Sequence, residues 1–316
     1  LFHKLKRLIF SFSKIKIINL WIRCSYKILK PALPSGIRKI FYKFPVNGKV
    51  KSQIEGSKPF IMMNNGSDSI ANDIYWKGAF GYEKTTMDLI LKLLSSSDVF
   101  FDIGANTGLY SLVAASSERN IMVHAFEPVD IAYNMIIAGK NASNFDNIKT
   151  NEIALSNFDG ESTFNLQMSD ESTIPLGSSL RQDMGDQKNK RTIKVKTMKL
   201  DTYVEKNGVT KIDLMKVDTE GTEDKVFEGG DNSISKFRPV IICEVLSNLL
   251  EDKLHLFMDN KNYIYYYVDE NELQQCDKII GDPYVVSNYL FVPEEKVSLF
   301  LMGINITKIK EKIFNN

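Results

Sequence analysis

The stretch from Asp98 to Tyr110, DVFFDIGANTGLY, constrains this chain more than any other. A short apolar run ends in Asp102, passes through a turn bearing Gly104 and Gly108, and enters an apolar helical pattern. That order reads as a buried parallel strand, a tight loop and a helix. Glycine at these two positions permits a positive φ or close approach of a ligand to the backbone. The first turn of the helix offers N–H groups that lack intrahelical partners. An open α/β sheet binds its ligands at this edge.

The spacing narrows the ligand. A dinucleotide site requires G-x-G-x-x-G, whereas here the pattern is Asp102-x-Gly104-x-Asn106-x-Gly108. A carboxylate ahead of the glycines repels a pyrophosphate and suits a ligand carrying an amino group. The next apolar run, Ile121 to Phe126, ends in a second acid, Glu127, with Pro128 behind it. An acid ending the second strand is the usual partner of a ribose diol. Amino acid plus ribose on one ligand describes S-adenosylmethionine. In some other α/β protein the same turn would be structural only. A third strand, Ile148 to Ala154, runs into Leu155 and by topology faces the adenine, with Leu155 as an apolar wall.

The fourth core strand, Ile212 to Asp218, carries Lys216 and Asp218 two residues apart and so on one face. A lysine inside an apolar strand is costly unless paired or functional. Glu220 and Gly221 form the turn that follows, and the fifth strand, Pro239 to Glu244, brings Glu244 to the same edge. Three carboxylates, Asp218, Glu220 and Glu244, therefore converge. Asp218 is the first candidate for a general base, Glu220 its assistant, and Lys216 either holds the acceptor or keeps Asp218 ionised. Alternatively, Asp218 and Glu244 could hold a hard divalent ion through oxygen ligands, although no metal ligand is assigned. Glu220 and Glu223 also read as purely structural helix-start acids. His124, mid-strand among apolar residues, reads as a core histidine.

Three segments carry a family resemblance: Asp102 to Ser111 (DIGANTGLYS), Ala125 to Pro128 (AFEP) and Lys216 to Glu223 (KVDTEGTE). Together they resemble the FkbM family of S-adenosylmethionine-dependent methyltransferases, over roughly Asp73 to Pro293. The resemblance implies a Rossmann-like class I methyltransferase fold, a doubly wound, mostly parallel seven-stranded sheet with an antiparallel last strand. It implies O-methylation of a sugar or natural-product hydroxyl, with S-adenosylmethionine bound by Asp102, Gly104, Asn106, Thr107, Gly108, Glu127, Pro128, Ala154, Leu155 and Asp218. Tyr82 and Glu83 match a Tyr-Glu that precedes the cofactor loop in the family, where they would close the methionine end. An aromatic plug and a helix-start acid are the alternative reading of that pair.

Charge divides the chain. Its net charge is only +1, yet residues 1–54 hold thirteen Lys and Arg and no Asp or Glu. From Phe2 to about Lys30 apolar residues recur at three- and four-residue intervals among the lysines, a basic amphipathic helix that Pro31 and Pro34 should end. Such a helix can lie in an anionic membrane surface with Trp21 at the headgroups, or pack on the domain with a solvated basic face. No nucleic-acid module accompanies it. The expected organisation is a basic segment over 1–60, the methyltransferase domain over 61–293 and a helical tail over 294–316. An insertion over about 157–197 reads as two strands bearing an acceptor-side lid.

Cys24, Cys243 and Cys276 have neither disulfide-framework nor zinc spacing. With no run long enough to span a bilayer and no signal pattern, the expected location is cytoplasmic, with peripheral contact at the inner membrane face. The competing class is a non-catalytic scaffold of the same fold that works through its basic N-terminus.

Overall fold

The computed structural model describes residues 16–167, 190–246, 249–269, 272–280, 287–302, 304 and 306–308. The strands in the first half are β1 (Asn47–Ser52), β2 (Phe60–Asn65), β3 (Val99–Ile103), β4 (Met122–Phe126), β5 (Ile148–Asn151), β6 (Ala154–Leu155) and β7 (Gly160–Gln167). Those in the second half are β8 (Lys190–Met198), β9 (Leu214–Val217), β10 (Val240–Val245), β11 (Tyr263–Val268), β12 (Leu273–Cys276), β13 (Ser287–Pro293) and β14 (Ile306–Lys308). Nine of them build the central sheet, in the order β14-β12-β11-β13-β10-β9-β3-β4-β5.

From β10 to β5 every pairing is parallel, and β13 runs antiparallel to both of its neighbours, β10 and β11. The doubly wound sheet with its antiparallel strand is therefore present, with nine strands in place of the expected seven. The two additions, β12 and β14, extend the sheet beyond β11. Their sequences, Leu-Gln-Gln-Cys and Ile-Thr-Lys, are too short and polar to show alternation, and they become strands only by pairing at an edge.

Strands β9 and β10 are buried along their whole length and β3 along all but its first residue, which is why they read as near-continuous apolar runs. Alternation sorts their side chains. Phe100, Leu214 and Ile242 join one core with Met87, Ile90, Leu109, Leu112 and Ile136 from the helices on that face. Phe101, Met215 and Ile241 join the other, with Leu200, Val226, Phe227 and Leu254. Each such burial stabilises by about 1.5–3 kcal/mol.

Two small sheets flank the large one. The β1–β2 hairpin sits on the helix Asp130–Ser143, where Ser143 Oγ accepts from the Ile61 N–H at 2.8 Å. The second runs β6-β8-β7, with β7 and β8 antiparallel. This corrects the third strand: β5 ends at Asn151, and Ala154–Leu155 leaves the central sheet to pair with β8. Of the insertion expected over about 157–197 to carry a lid, residues 168–189 lie outside the described residues, as does the start of the amphipathic segment, 1–15.

The helix Lys16–Leu29 ends ahead of Pro31, as the prolines require, and a further short helix, Ser35–Phe41, begins behind Pro34. One face of the first helix is fastened to the domain. Asn19 Nδ2 donates to Pro45 O, Arg23 donates to Asn47 O at 2.7 Å and Lys49 O at 3.0 Å, and Tyr26 meets Trp76 edge-on at 4.8 Å. Where a helical tail was expected, Val297–Phe300 forms one helical turn and Ile306–Lys308 is β14; residues 309–316 lie outside the described part. Among the described residues no helix is long and apolar enough to cross a membrane.

Candidate active site

The strand order reverses between β3 and β9, and a crevice opens outside the strand ends at such a switch point. The cleft there takes up about 1040 Å³, counting the part continuous with solvent. Of the residues expected at the site, Tyr82, Gly104, Asn106, Glu127, Pro128, Ala154, Leu155, Lys216, Asp218 and Glu220 line it. Glu83, Asp102, Thr107 and Gly108 are not on its wall.

The loop after β3 is held by its own chain. The N–H groups of Gly104 and Ala105 both donate to Phe126 O at 3.0 Å, and Asn106 N–H donates to Glu127 Oε2 at 2.8 Å. These three loop N–H groups are therefore taken up within the protein, ahead of the helix that begins at Leu109. Gly104 is required for another reason. Its φ is +79°, and a Cβ there would stand 1.8 Å from Asp218 O. The close approach it permits is that of the β9 end.

Asp102 also differs from expectation. It is 1 % exposed and lies under the cleft floor, where Oδ2 accepts from Ser111 Oγ at 2.6 Å and burial raises its pKa while Lys216 opposes the rise. It receives a cationic group, but an internal one. Lys216, 3 % exposed, pairs with Asp102 across the β3–β9 register and places Nζ 2.5 Å from Asp218 Oδ2 and 4.9 Å from the Tyr110 ring centroid. Burial alone would favour the neutral amine, yet the carboxylates of Asp218, Glu83 and Asp102 hold the ammonium above the ordinary lysine range. Tyr110 O–H in turn donates to Glu83 Oε2 at 2.7 Å, so Glu83 acts from behind the wall.

Glu223 proves structural. Its Oε1 accepts from Thr219 N–H, Thr219 Oγ1 and Gly221 N–H at 2.8, 2.9 and 3.2 Å, knotting the turn that presents Asp218 and Glu220. Glu220 itself sits in left-handed backbone with φ 56°. His124 is the core residue its surroundings suggested. It stacks on Phe101 and bonds the Tyr203 hydroxyl at 2.8 Å, and burial lowers its pKa to about 4.

Several wall residues had no separate signal in the sequence. Ile70, Ile153 and Phe164 face the cleft from the helix Ser69–Lys77, the β5–β6 link and β7. Tyr110 could have been found, because an aromatic on the first turn of the helix after β3 must stand beside Lys216.

Glu127 gives the site a pH signature. Both its oxygens accept backbone N–H groups, from Asn106 and Val129, yet burial pushes its pKa from 4.5 up to about 8. The folded state thus keeps a proton that the unfolded chain has released, and this contribution to stability is lost as pH rises through that window. His124 works oppositely, but only between about 4 and 6.5. The thermal midpoint of the ligand-free protein is therefore expected to fall from pH 6.5 to 8, and Glu127→Ala to make that slope shallower. An equal slope in the variant would show that Glu127 is ionised in the fold throughout.

The model of the methyltransferase FkbM domain family matches residues 102–265, more than half of the chain. Among solved structures, the methyltransferase FkbM of Methylobacillus flagellatus KT aligns at 15 % identity and a TM-score of 0.40, covering 62 % of this chain and 44 % of that one. The chain thus spans less than half the length of that protein. A SAM-dependent methyltransferase of Agrobacterium tumefaciens aligns at 9 % identity and a TM-score of 0.43, over 80 % of this chain and 72 % of the other. An O-methyltransferase of Bacillus cereus, solved with SAH, aligns at 10 % and 0.39, over 66 % and 80 %. No curated protein sequence matches.

Proposed function

The chain belongs to the FkbM methyltransferase family, and from that premise we propose that it methylates a hydroxyl oxygen of a glycan, glycolipid or natural-product acceptor, using S-adenosylmethionine. The observation that carries this reading is the pair of buried Lys216 with partly exposed Asp218 at the mouth of the switch-point cleft. The cleft fits the cofactor in kind. It is of small-molecule size, and its ionisable carboxyl groups, Glu127, Asp218 and Glu220, outnumber its one lysine, which is already paired; this suits a ligand with sulfonium and ammonium charges. Asn106 adds a buried side-chain oxygen, Oδ1, without a hydrogen-bond partner.

Bound there, S-adenosylmethionine supplies an electrophilic methyl group to the acceptor oxygen. Glu127 would hold the ribose, Asn106 and Tyr82 the amino-acid end, and Leu155 with Ala154 and Pro128 the base. Lys216 fixes Asp218 Oδ2, and Asp218 Oδ1 has no hydrogen-bond partner among the described residues. That second oxygen is the one assigned to take the acceptor proton, with Glu220 beside it. A positioned base contributes about 10²- to 10⁴-fold.

Calorimetry with S-adenosylmethionine tests the reading. Micromolar binding is expected, weakened at least about tenfold by Glu127→Ala, the loss of the ribose hydrogen bonds to that carboxyl group. Asp218→Asn should keep binding and lose methyl transfer to a glycan acceptor. A folded protein that binds no cofactor would favour the scaffold alternative.

We further propose an anionic membrane surface as partner. The outward stripe of the helix Lys16–Leu29 exposes Ile17, Trp21 and Ile28 at 77, 75 and 77 %, and the sequence over 1–54 holds thirteen basic and no acidic residues. Apolar side chains and an adjoining positive charge match headgroups over acyl chains, with each nearby Lys or Arg contributing ~1 kcal/mol. Phosphatidylserine vesicles should sediment the protein and raise Trp21 emission at shorter wavelength; Ile17→Asp with Ile28→Asp, which keeps Trp21 as reporter, should abolish both. Sedimentation unaffected by those changes sinks the proposal, and a dimer dissolved by them would assign the face to a second copy.

A further inference from the structure

The acids at the cleft mouth form a group that the base assignment only partly uses. Strands β9 and β10 run parallel with Ile242 level with Lys216. Two residues further along each strand, Glu244 therefore comes level with Asp218, on the same face. The left-handed turn at Glu220 brings a third carboxylate to them. One oxygen from each of the three lies within 4.8 Å of the others. Like charges this close repel strongly unless a cation joins them or one of them keeps a proton. Lys216 answers only part of that, since its ammonium sits on Asp218 Oδ2.

Glu244 supplies a second and separate observation. It is 9 % exposed, and its Oε2 is buried with no hydrogen-bond partner. An unsatisfied buried oxygen of this kind costs about 1–3 kcal/mol or more, so it is retained where something else satisfies it. With no His or Cys in the group, the donors are all hard oxygens.

We propose that Asp218, Glu220 and Glu244 bind one divalent cation of the Mg²⁺ or Mn²⁺ class. Three monodentate carboxylates leave other positions to water and to a hydroxyl ligand; with the ion bound, Asp218 Oδ1 would be a ligand in place of the free base, and the ion would ease loss of the hydroxyl proton. A pair of neighbouring hydroxyls, as on a sugar ring, would chelate there and come to the cleft mouth in a fixed orientation. That role rests on the O-methyl-transfer reading, whereas binding of the ion rests on these residues alone.

The test is titration of Mn²⁺ alone into the full chain, following free ion by electron paramagnetic resonance, with cofactor calorimetry alongside. One ion per chain is expected, with affinity reduced at least about tenfold by Glu244→Gln and, on the loop, by Glu220→Gln. Circular dichroism shows whether each variant is folded. Protein that binds S-adenosylmethionine but takes up no Mn²⁺, with or without cofactor, overturns the metal site and leaves the methyltransferase reading intact. So does Mn²⁺ uptake equal in both folded variants. Site-specific uptake without any cofactor binding would keep the metal site and remove the methyl-transfer role.

Discussion

Lys216→Met is expected to destabilise the protein by about 3–5 kcal/mol at pH 7, the usual cost of removing one partner from a buried ion pair. Methionine nearly matches the lysine stem in volume, so lost packing is a small part of that figure. The charge is the large part. Lys216 is 3 % exposed, and the groups that keep it charged are Asp218, Glu83 and Asp102. Without it, Asp102 and Asp218 face each other across β3 and β9 with no cation between them. Asp102 is already raised by burial, and Lys216 is the largest influence holding it down. In the variant it would rise further and take up a proton more readily. The deficit should therefore shrink as pH is lowered, because protonated carboxyls no longer need the ammonium. Denaturant unfolding of both proteins at pH 7 and pH 5 checks this. A deficit equal at the two values would mean that Lys216 acts through packing, and that the pair is no electrostatic centre.

The same residue shows what a sequence can and cannot disclose here. Lys216 in an apolar strand announced itself, because a charge among Leu214, Met215 and Val217 has to be compensated. The strand–loop–helix around Asp102 was equally plain, since apolar run, glycines and helical periodicity all agree. What stayed hidden is which way the acid's surroundings close. Asp102 ends on Ser111 and Lys216 only because β3 pairs with β9 in one register, and register between strands more than a hundred residues apart leaves no local mark. The loop N–H groups posed the same difficulty. Their acceptors, Phe126 O and Glu127 Oε2, belong to the neighbouring strand end. Phe164 reaches the cleft because Ala154–Leu155 turns out of the central sheet and carries the β7–β8 hairpin beside it. By contrast, the convergence of Asp218, Glu220 and Glu244 was legible, since strand ends in a parallel sheet share an edge.

Gly104→Ala should cost about 3–5 kcal/mol, in the range reserved for backbone clash and strain. Two effects add. At φ +79° an L-residue is strained by about 1–3 kcal/mol. The new methyl would also stand 1.8 Å from Asp218 O and 2.8 Å from Asp218 C, backbone atoms that cannot swing aside as a side chain can. Relief requires the β9 end to move away from β3, against the hydrogen bond from Asp218 N–H to Ile103 O at 3.0 Å. Any such movement carries Asp218 and the Lys216 pair with it, so cofactor affinity should fall even in molecules that remain folded. Gly108→Ala is the internal comparison. Its φ is similar, +84°, but its Cβ would meet only the Ile136 side chain, at 3.0 to 3.4 Å, which can shift by a few tenths of an ångström. That variant should lose only about 1–3 kcal/mol and keep cofactor binding. Denaturation midpoints and calorimetry on the two variants separate strain from collision. Equal losses in both would mean that positive φ alone fixes these glycines, and that β9 does not press on the loop as the β3–β9 register requires.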